Sequence, residues 1–262
     1  MGAIAYPLVV VLGLLIGSFL NVVIWRVPRG ESVVAPPSAC TACGHPIRAR
    51  DNVPVLSWVL LRARCRDCAA PISARYPLVE AATALLFALV LLRFGWTWSL
   101  PAYLFLAALA VTLALIDLDV HRLPSSIVVP AYPVLAALLL LASWNPGGPS
   151  RWDALLPAVT GGVVLLFFYG VLAVVRPGGM GMGDVRLAGL LGLALGWLGW
   201  GPVVIGSFAA FLLGGVFSLA LLATRRATRK SGIPFGPWML LGAAVGIAVG
   251  ELAWSAYLSV II

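Results

Sequence analysis

The chain has 262 residues, 62% of them hydrophobic and only 10% charged, with a mean hydropathy of +1.06. So few charges exclude a soluble globular domain, and a net charge of +8 spread along apolar runs reflects membrane topology rather than nucleic-acid binding. Stretches of about 20 apolar residues recur along the whole length, which predicts an all-α polytopic membrane protein.

About eight transmembrane helices are expected, at roughly 5–25, 77–94, 100–117, 126–143, 154–175, 185–200, 202–223 and 235–258. The first apolar run, Tyr6 to Ile24, has no basic residue before it and no small-residue cleavage site behind it. It reads as a retained span, not a signal peptide. The expected organisation is a first transmembrane helix (1–25), a polar insertion (26–76) and a transmembrane core (77–262). The sixth span is interrupted by Gly189, Gly192, Gly196 and Gly199, a spacing that lets helices approach closely in lipid. That favours a helix buried among its neighbours.

The arginines orient the chain. Alternating spans put Arg26, Arg29, Arg48, Arg50, Arg62, Arg64, Arg66 and Arg75 of the insertion on one side. Arg122, Arg176, Arg186, Arg225, Arg226, Arg229 and Lys230 fall on the same side, and only Arg93 and Arg151 on the other. Positive residues stay cytoplasmic, so the insertion is expected inside and both chain ends outside.

The insertion holds all four cysteines, as Cys40-Thr-Ala-Cys43 and Cys65-Arg-Asp-Cys68, within similar segments CTACGHPI and CRDCAAPI. Paired turns of this kind supply four thiolates in a tetrahedron, the closed geometry of structural zinc; a redox dithiol is the competing reading. Thiolates need a reducing compartment, in agreement with the arginine count. A module this small cannot bury a sufficient core, and metal binding would supply the missing folding energy. His45 reads as a solvated turn residue. Residues 51–61, DNVPVLSWVLL, are too short to span and are expected to lie against the membrane surface or to cover the site. Glu80, about one turn inside the next span, is equally readable as a partner for an arginine or as a ligand-binding group.

Two acids stand out. Asp117 ends the third span after an uncharged run, with Asp119 two residues later at the polar edge; Asp184 opens the sixth span behind Gly179, Gly181 and Gly183. An ionisable residue at the mouth of a membrane is read by default as functional, although Asp184 is also placed to cap its helix. Alternation brings Asp117 and Asp184 to one membrane depth from opposite directions. Two facing carboxylates in a partly dry site hold one proton between them, the arrangement of aspartic peptide-bond hydrolysis. A proton-coupled transporter with a regulatory zinc module would also place acids in spans; the position of these acids at span edges and the lack of a visible inverted repeat weigh against it.

The segments GSFLNVVIWRVP (17–28), DNVPVLSW (51–58), ISARYPLVEAAT (72–83), LIDLDVHRLP (115–124), GMGMGDVRLAGLLG (179–192) and IPFGPWMLLGA (233–243), with the two cysteine pairs, resemble the bacterial type IV prepilin peptidases. These are bifunctional leader peptidase and N-methyltransferases of the GxGD aspartic class. The resemblance covers nearly the whole chain. It implies a multi-pass enzyme of the bacterial cytoplasmic (inner) membrane that removes the basic leader of prepilin or pseudopilin substrates. Methylation of the new N-terminus with S-adenosylmethionine would follow. It assigns catalysis to Asp117 and Asp184, choosing Asp117 over Asp119 by its distance from Pro124. Asn52 and Glu80 are the candidates for cofactor binding, since no glycine-rich nucleotide loop is present. Ser125 stands where the family often has Asp or Asn, and Thr41 and Ala69 where Pro and Gly are common. A basic leader must approach an arginine-rich face, for which Glu31, Asp51 and Asp67 are candidates for local relief.

Overall fold

A computed structural model describes residues 2–176, 180–225 and 233–261. Its described residues are almost wholly helical: α1 (Gly2–Arg26), α2 (Leu56–Leu60), α3 (Arg75–Phe94), α4 (Leu100–Val120), α5 (Ser125–Trp144), α6 (Leu155–Val175), α7 (Met182–Leu198), α8 (Trp200–Ala223) and α9 (Gly236–Ile261). All eight expected spans are helices. Seven are long and apolar enough to cross a membrane; α7, at 17 residues, is the eighth and the shortest of them. The protein is a multi-pass membrane protein. Gly179, and Arg226, Arg229 and Lys230 of the loop after α8, lie outside the described residues.

The chain forms two compact units, Met1–Thr112 and Leu113–Ile262. In the first, α1 packs on α3 because glycine faces backbone. A Cβ on Gly13 would stand 2.6 Å from Ala84 Cα, and one on Gly17 would stand 2.7 Å from Glu80 Cα. Below this contact Val9, Phe87, Leu91, Leu100 and Ala107 form one buried cluster, and Phe94 stacks on Tyr103 at 4.0 Å.

In the second unit α7 is surrounded by α5, α6, α8 and α9, and most of its residues from Val185 to Trp197 are buried. The glycine spacing explains this position. Gly161 and Gly162 of α6 face the α7 carbonyls of Gly192 and Gly189, where an added Cβ would lie 2.9 and 3.1 Å away. Such contact substitutes van der Waals packing and main-chain proximity for a hydrophobic driving force, which lipid does not provide. Tyr132 of α5 donates to the Arg186 carbonyl at 2.6 Å. At the far end, Trp197 donates to Ser143 Oγ at 2.9 Å, and the Arg151 guanidinium lies over its ring at 4.4 Å. Gly246 of α9 meets the Pro202 carbonyl of α8, which makes those two helices a second close pair.

Candidate active site and metal centre

Asp117 lies in the last turn of α4 and is only 4% exposed, whereas Asp119 is exposed. The helix ends directly after: His121 takes φ +52, and its N–H bonds back to the Asp117 carbonyl at 2.9 Å. The Asp117 carboxylate reaches the start of α9. Its Oδ2 accepts the N–H of Gly236 at 3.0 Å, and a Cβ at 236 would lie 2.7 Å from that oxygen. The donor can approach only because residue 236 is glycine.

Asp184 is half-buried in the first turn of α7. Its Oδ2, three residues after the N-cap, accepts the N–H of Gly181 at 3.0 Å while its own N–H returns to the Gly181 carbonyl, closing the first turn. The helix-capping role is therefore present, and it uses one of the two oxygens. Gly183 lets this turn abut the segment after α4; a Cβ there would lie 2.8 Å from Leu123 Cβ. Leu123 also lies 3.4 Å from a Cβ at Gly236, so the turn that carries Asp184 and the donor that holds Asp117 meet on the same side chain. Tyr169 of α6 is buried within range of Asp184, and its ring belongs to an aromatic group with Phe211 and Phe235 at 5.5 and 6.3 Å. Phe235 directly precedes Gly236.

Beside the acids, Arg186 donates to the hydroxyl of Ser125 at the start of α5. An Asp at 125 would meet the same guanidinium as an ion pair.

The insertion in the first unit is built from two equivalent knuckles. Cys40 N–H bonds to the His45 carbonyl at 2.9 Å and Cys65 N–H to the Ala70 carbonyl at 2.8 Å. Each is closed by an isolated bridge, Ala39 to Pro46 and Arg64 to Pro71. The four sulfurs all lie within 4.8 Å of one another, with Cys40 Sγ and Cys68 Sγ 3.8 Å apart. Tetrahedral zinc with Zn–S of about 2.3 Å requires sulfurs about 3.8 Å apart, so the donor set fits the ion. Backbone N–H groups of Cys43 and Ala42 pull the Cys40 thiol down to about 6, while burial and the neighbouring thiols push Cys68 up to about 12, the split expected of sulfurs crowded together with no cation between them. Two ion pairs brace the knuckles across each other. Arg66 grips Asp51 with Nε–Oδ2 at 2.9 Å and Nη2–Oδ1 at 2.6 Å, and Arg48 meets Asp67 at 2.9 Å. The bidentate contact holds the Asp51 carboxyl below the usual carboxylate range. Two of the three acids expected to soften the arginine-rich face are thus engaged inside the module. Glu31 is exposed, as are His45 and Asn52.

Glu80 is 8% exposed at the α1–α3 contact. Its Oε2 accepts the N–H of Val55 at 2.7 Å, and the Ser18 side chain bonds to it as well. Its partners are thus a main-chain N–H and a serine and not an arginine, and the carboxylate fastens the turn three residues beyond Asn52.

Comparison with known proteins agrees with this architecture. Residues 11–94 match the bacterial peptidase A24 N-terminal domain and residues 104–219 the type IV leader peptidase family. The chain belongs to the type IV leader peptidase family. It is 35% identical over 98% of its length to a prepilin leader peptidase/N-methyltransferase of Aeromonas salmonicida, covering 95% of that protein. A Pseudomonas aeruginosa protein of the same name is 35% identical over 95% of the chain and 92% of the relative. A Myxococcus xanthus protein, also so named, is 46% identical over 83% of the chain, which spans 63% of that longer relative. No solved structure gives a significant match.

Gly236 is the partner of Asp117 that residue-by-residue reading misses. Its segment carries family resemblance, but a main-chain donor leaves no side-chain signature. Proximity of α9 to Asp117 across 119 positions is a product of the fold.

Proposed function

We propose that the chain is a membrane aspartic endopeptidase that removes the basic leader of type IV prepilin-like proteins at the cytoplasmic membrane face. One observation carries this reading. Two carboxylates from separate helices border one side chain, Leu123, through Gly183 and Gly236, each with Oδ2 held by one main-chain N–H and so with a fixed orientation. The Oδ1 oxygens then serve the reaction. The ionised member of the pair takes a proton from water, whose oxygen attacks the scissile carbonyl carbon. The protonated member gives its proton to the carbonyl oxygen, and the tetrahedral intermediate collapses with proton transfer to the leaving amine. Both acids lie at the arginine-bearing ends of their helices, where a substrate with a basic leader and an apolar helix presents its scissile bond.

Membership of the family supports a second step, methylation of the new N-terminus, with S-adenosylmethionine supplying the methyl group. In this reading Glu80 holds the Val55 turn, and the exposed Asn52 on it meets the cofactor. Cys40, Cys43, Cys65 and Cys68 hold a structural zinc that shapes the module without taking part in chemistry.

The test is to incubate the purified chain with a prepilin and isotopically labelled S-adenosylmethionine, then analyse products by mass spectrometry. The expected result is a shortened pilin bearing one labelled methyl group on its new N-terminal nitrogen. An uncleaved prepilin would refute the peptidase reading; a cleaved, unlabelled pilin would refute the methyl-transfer half alone.

A further inference from the structure

The short helix α2 is built inside out for a water-facing module. Its polar groups point inward. Ser57 is buried, its hydroxyl accepting the Val53 N–H at 2.9 Å and donating to the Arg50 carbonyl at 3.2 Å. The Trp58 indole N–H donates to the Ile72 carbonyl at 3.1 Å. Its aliphatic side chains point outward: Val53, Leu56 and Val59 are exposed, and Leu60 is 71% exposed. A soluble domain places these groups the other way round.

Two further observations say what the ridge faces. The first is depth. Val55, which opens α2, is bonded to Glu80, five residues into the membrane-crossing α3. At 1.5 Å per residue that pins Val55, between the ridge residues Val53 and Leu56, about 7–8 Å along a transmembrane helix, the level of headgroups rather than bulk water. The tether also holds β-branched Val55 at φ +59, ψ −49, an unfavourable backbone conformation that must be over-determined by its surroundings. The second is charge. Arg50, Arg62 and Arg64 flank the ridge in sequence and are exposed, whereas Asp51, next to Arg50, is held by Arg66 and Glu80 is buried on the Val55 N–H.

We propose that Val53, Leu56, Val59 and Leu60 form a membrane-seated ridge that enters the bilayer interface, with Arg50, Arg62 and Arg64 binding the phosphates of anionic phospholipids. The zinc module is then docked on lipid and not free in the cytosol. Apolar side chains at headgroup depth beside guanidinium groups are the pattern of an interfacial anchor. Each arginine close to an anionic surface contributes about a fivefold change in partition, so Arg62 and Arg64 together contribute about 25-fold.

The full chain should be reconstituted into nanodiscs of phosphatidylcholine with or without phosphatidylglycerol, and amide exchange followed over residues 53–61. Exchange is expected to be slower in the anionic discs, by up to about 125-fold for the three arginines. The difference should shrink by about 25-fold in the Arg62→Gln/Arg64→Gln variant. Leu56→Glu/Leu60→Glu should speed exchange in both lipids while zinc content stays at one per chain, which separates undocking from unfolding. Equal exchange in the two lipids for the unmodified chain would overturn the proposal. So would a lipid difference undiminished by the arginine substitutions, or protection of the ridge that is unaffected by the glutamates.

Discussion

The narrowest place in the proposed catalytic arrangement is residue 236, and substituting it tests whether the Gly236–Asp117 contact matters. In Gly236→Ala the new Cβ would stand 2.7 Å from Asp117 Oδ2, where ordinary contact begins at 3.4 Å, so carboxylate and helix must separate by about 0.7 Å. The N–H bond at 3.0 Å is lost or stretched with it. A hydrogen bond to a charged group is worth about 1.5–3 kcal/mol, and a misplacement near 1 Å costs on the order of 100-fold in rate. Cleavage of a prepilin by membranes carrying this variant should therefore slow by about 30–100-fold although Asp117 itself is intact. Gly181→Ala is the control. Gly181 has φ −81, open to any residue, and its Cβ would lie 3.3 Å from Asp184 Oδ2, so only a few tenths of an ångström must be found. Its rate should fall less than about fivefold. Unchanged size-exclusion profiles would show that both variants fold. A Gly236→Ala enzyme of normal rate, or a Gly181→Ala enzyme as damaged as it, would refute the reasoning.

Other outcomes follow from the insertion and from α5. Chelation of the metal should unfold residues 26–76 and loosen the backbone enough for trypsin to cut at Arg62 and Arg64 while far-ultraviolet dichroism of the membrane helices persists; a trypsin-resistant, metal-free module would count against a structural site. Ala69 holds φ +57 in the second knuckle where Gly44 holds φ +74 in the first. Ala69→Gly should relieve left-handed strain, offset partly by backbone entropy, and stabilise the module by about 0.5–1 kcal/mol in chelator competition. A weaker module would contradict that. Ser125→Asp should convert the contact with Arg186 into an ion pair and raise the melting temperature by about 1–3 °C, measured in detergent; a lower value would show that the added charge is not compensated.

What was readable in advance tracks the range over which each signal acts. The cysteine knuckles were legible because two-residue spacing and the repeated CTACGHPI and CRDCAAPI segments encode a local turn, which reappears as matched hydrogen bonds from Cys40 and Cys65. The burial of α7 was legible from its glycines, and the difference in depth between Asp117 and Asp119 from the polarity of the span edge. The spacing of Gly242, Gly246 and Gly250 carries the same packing signal for α8 and α9. Contacts between main-chain donors and distant side chains were not legible. Nothing in the residue Val55 announces that its N–H will meet Glu80, and nothing in Gly236 that it will meet Asp117. Nor does the composition of residues 53–60 say which face turns outward; that depends on Ser57 and Trp58 finding carbonyls inside the module.

The proposed hydrolysis requires Asp117 and Asp184 to act as one unit, and the most direct measurement is prepilin cleavage by Asp117→Asn, Asp184→Asn and Asp119→Asn enzymes at equal expression. Loss of cleavage by at least about 1,000-fold is expected in the first two and near-normal cleavage in the third, because removal of either member of a shared-proton pair disables both. Processing that survives in the Asp117 or the Asp184 variant would contradict it.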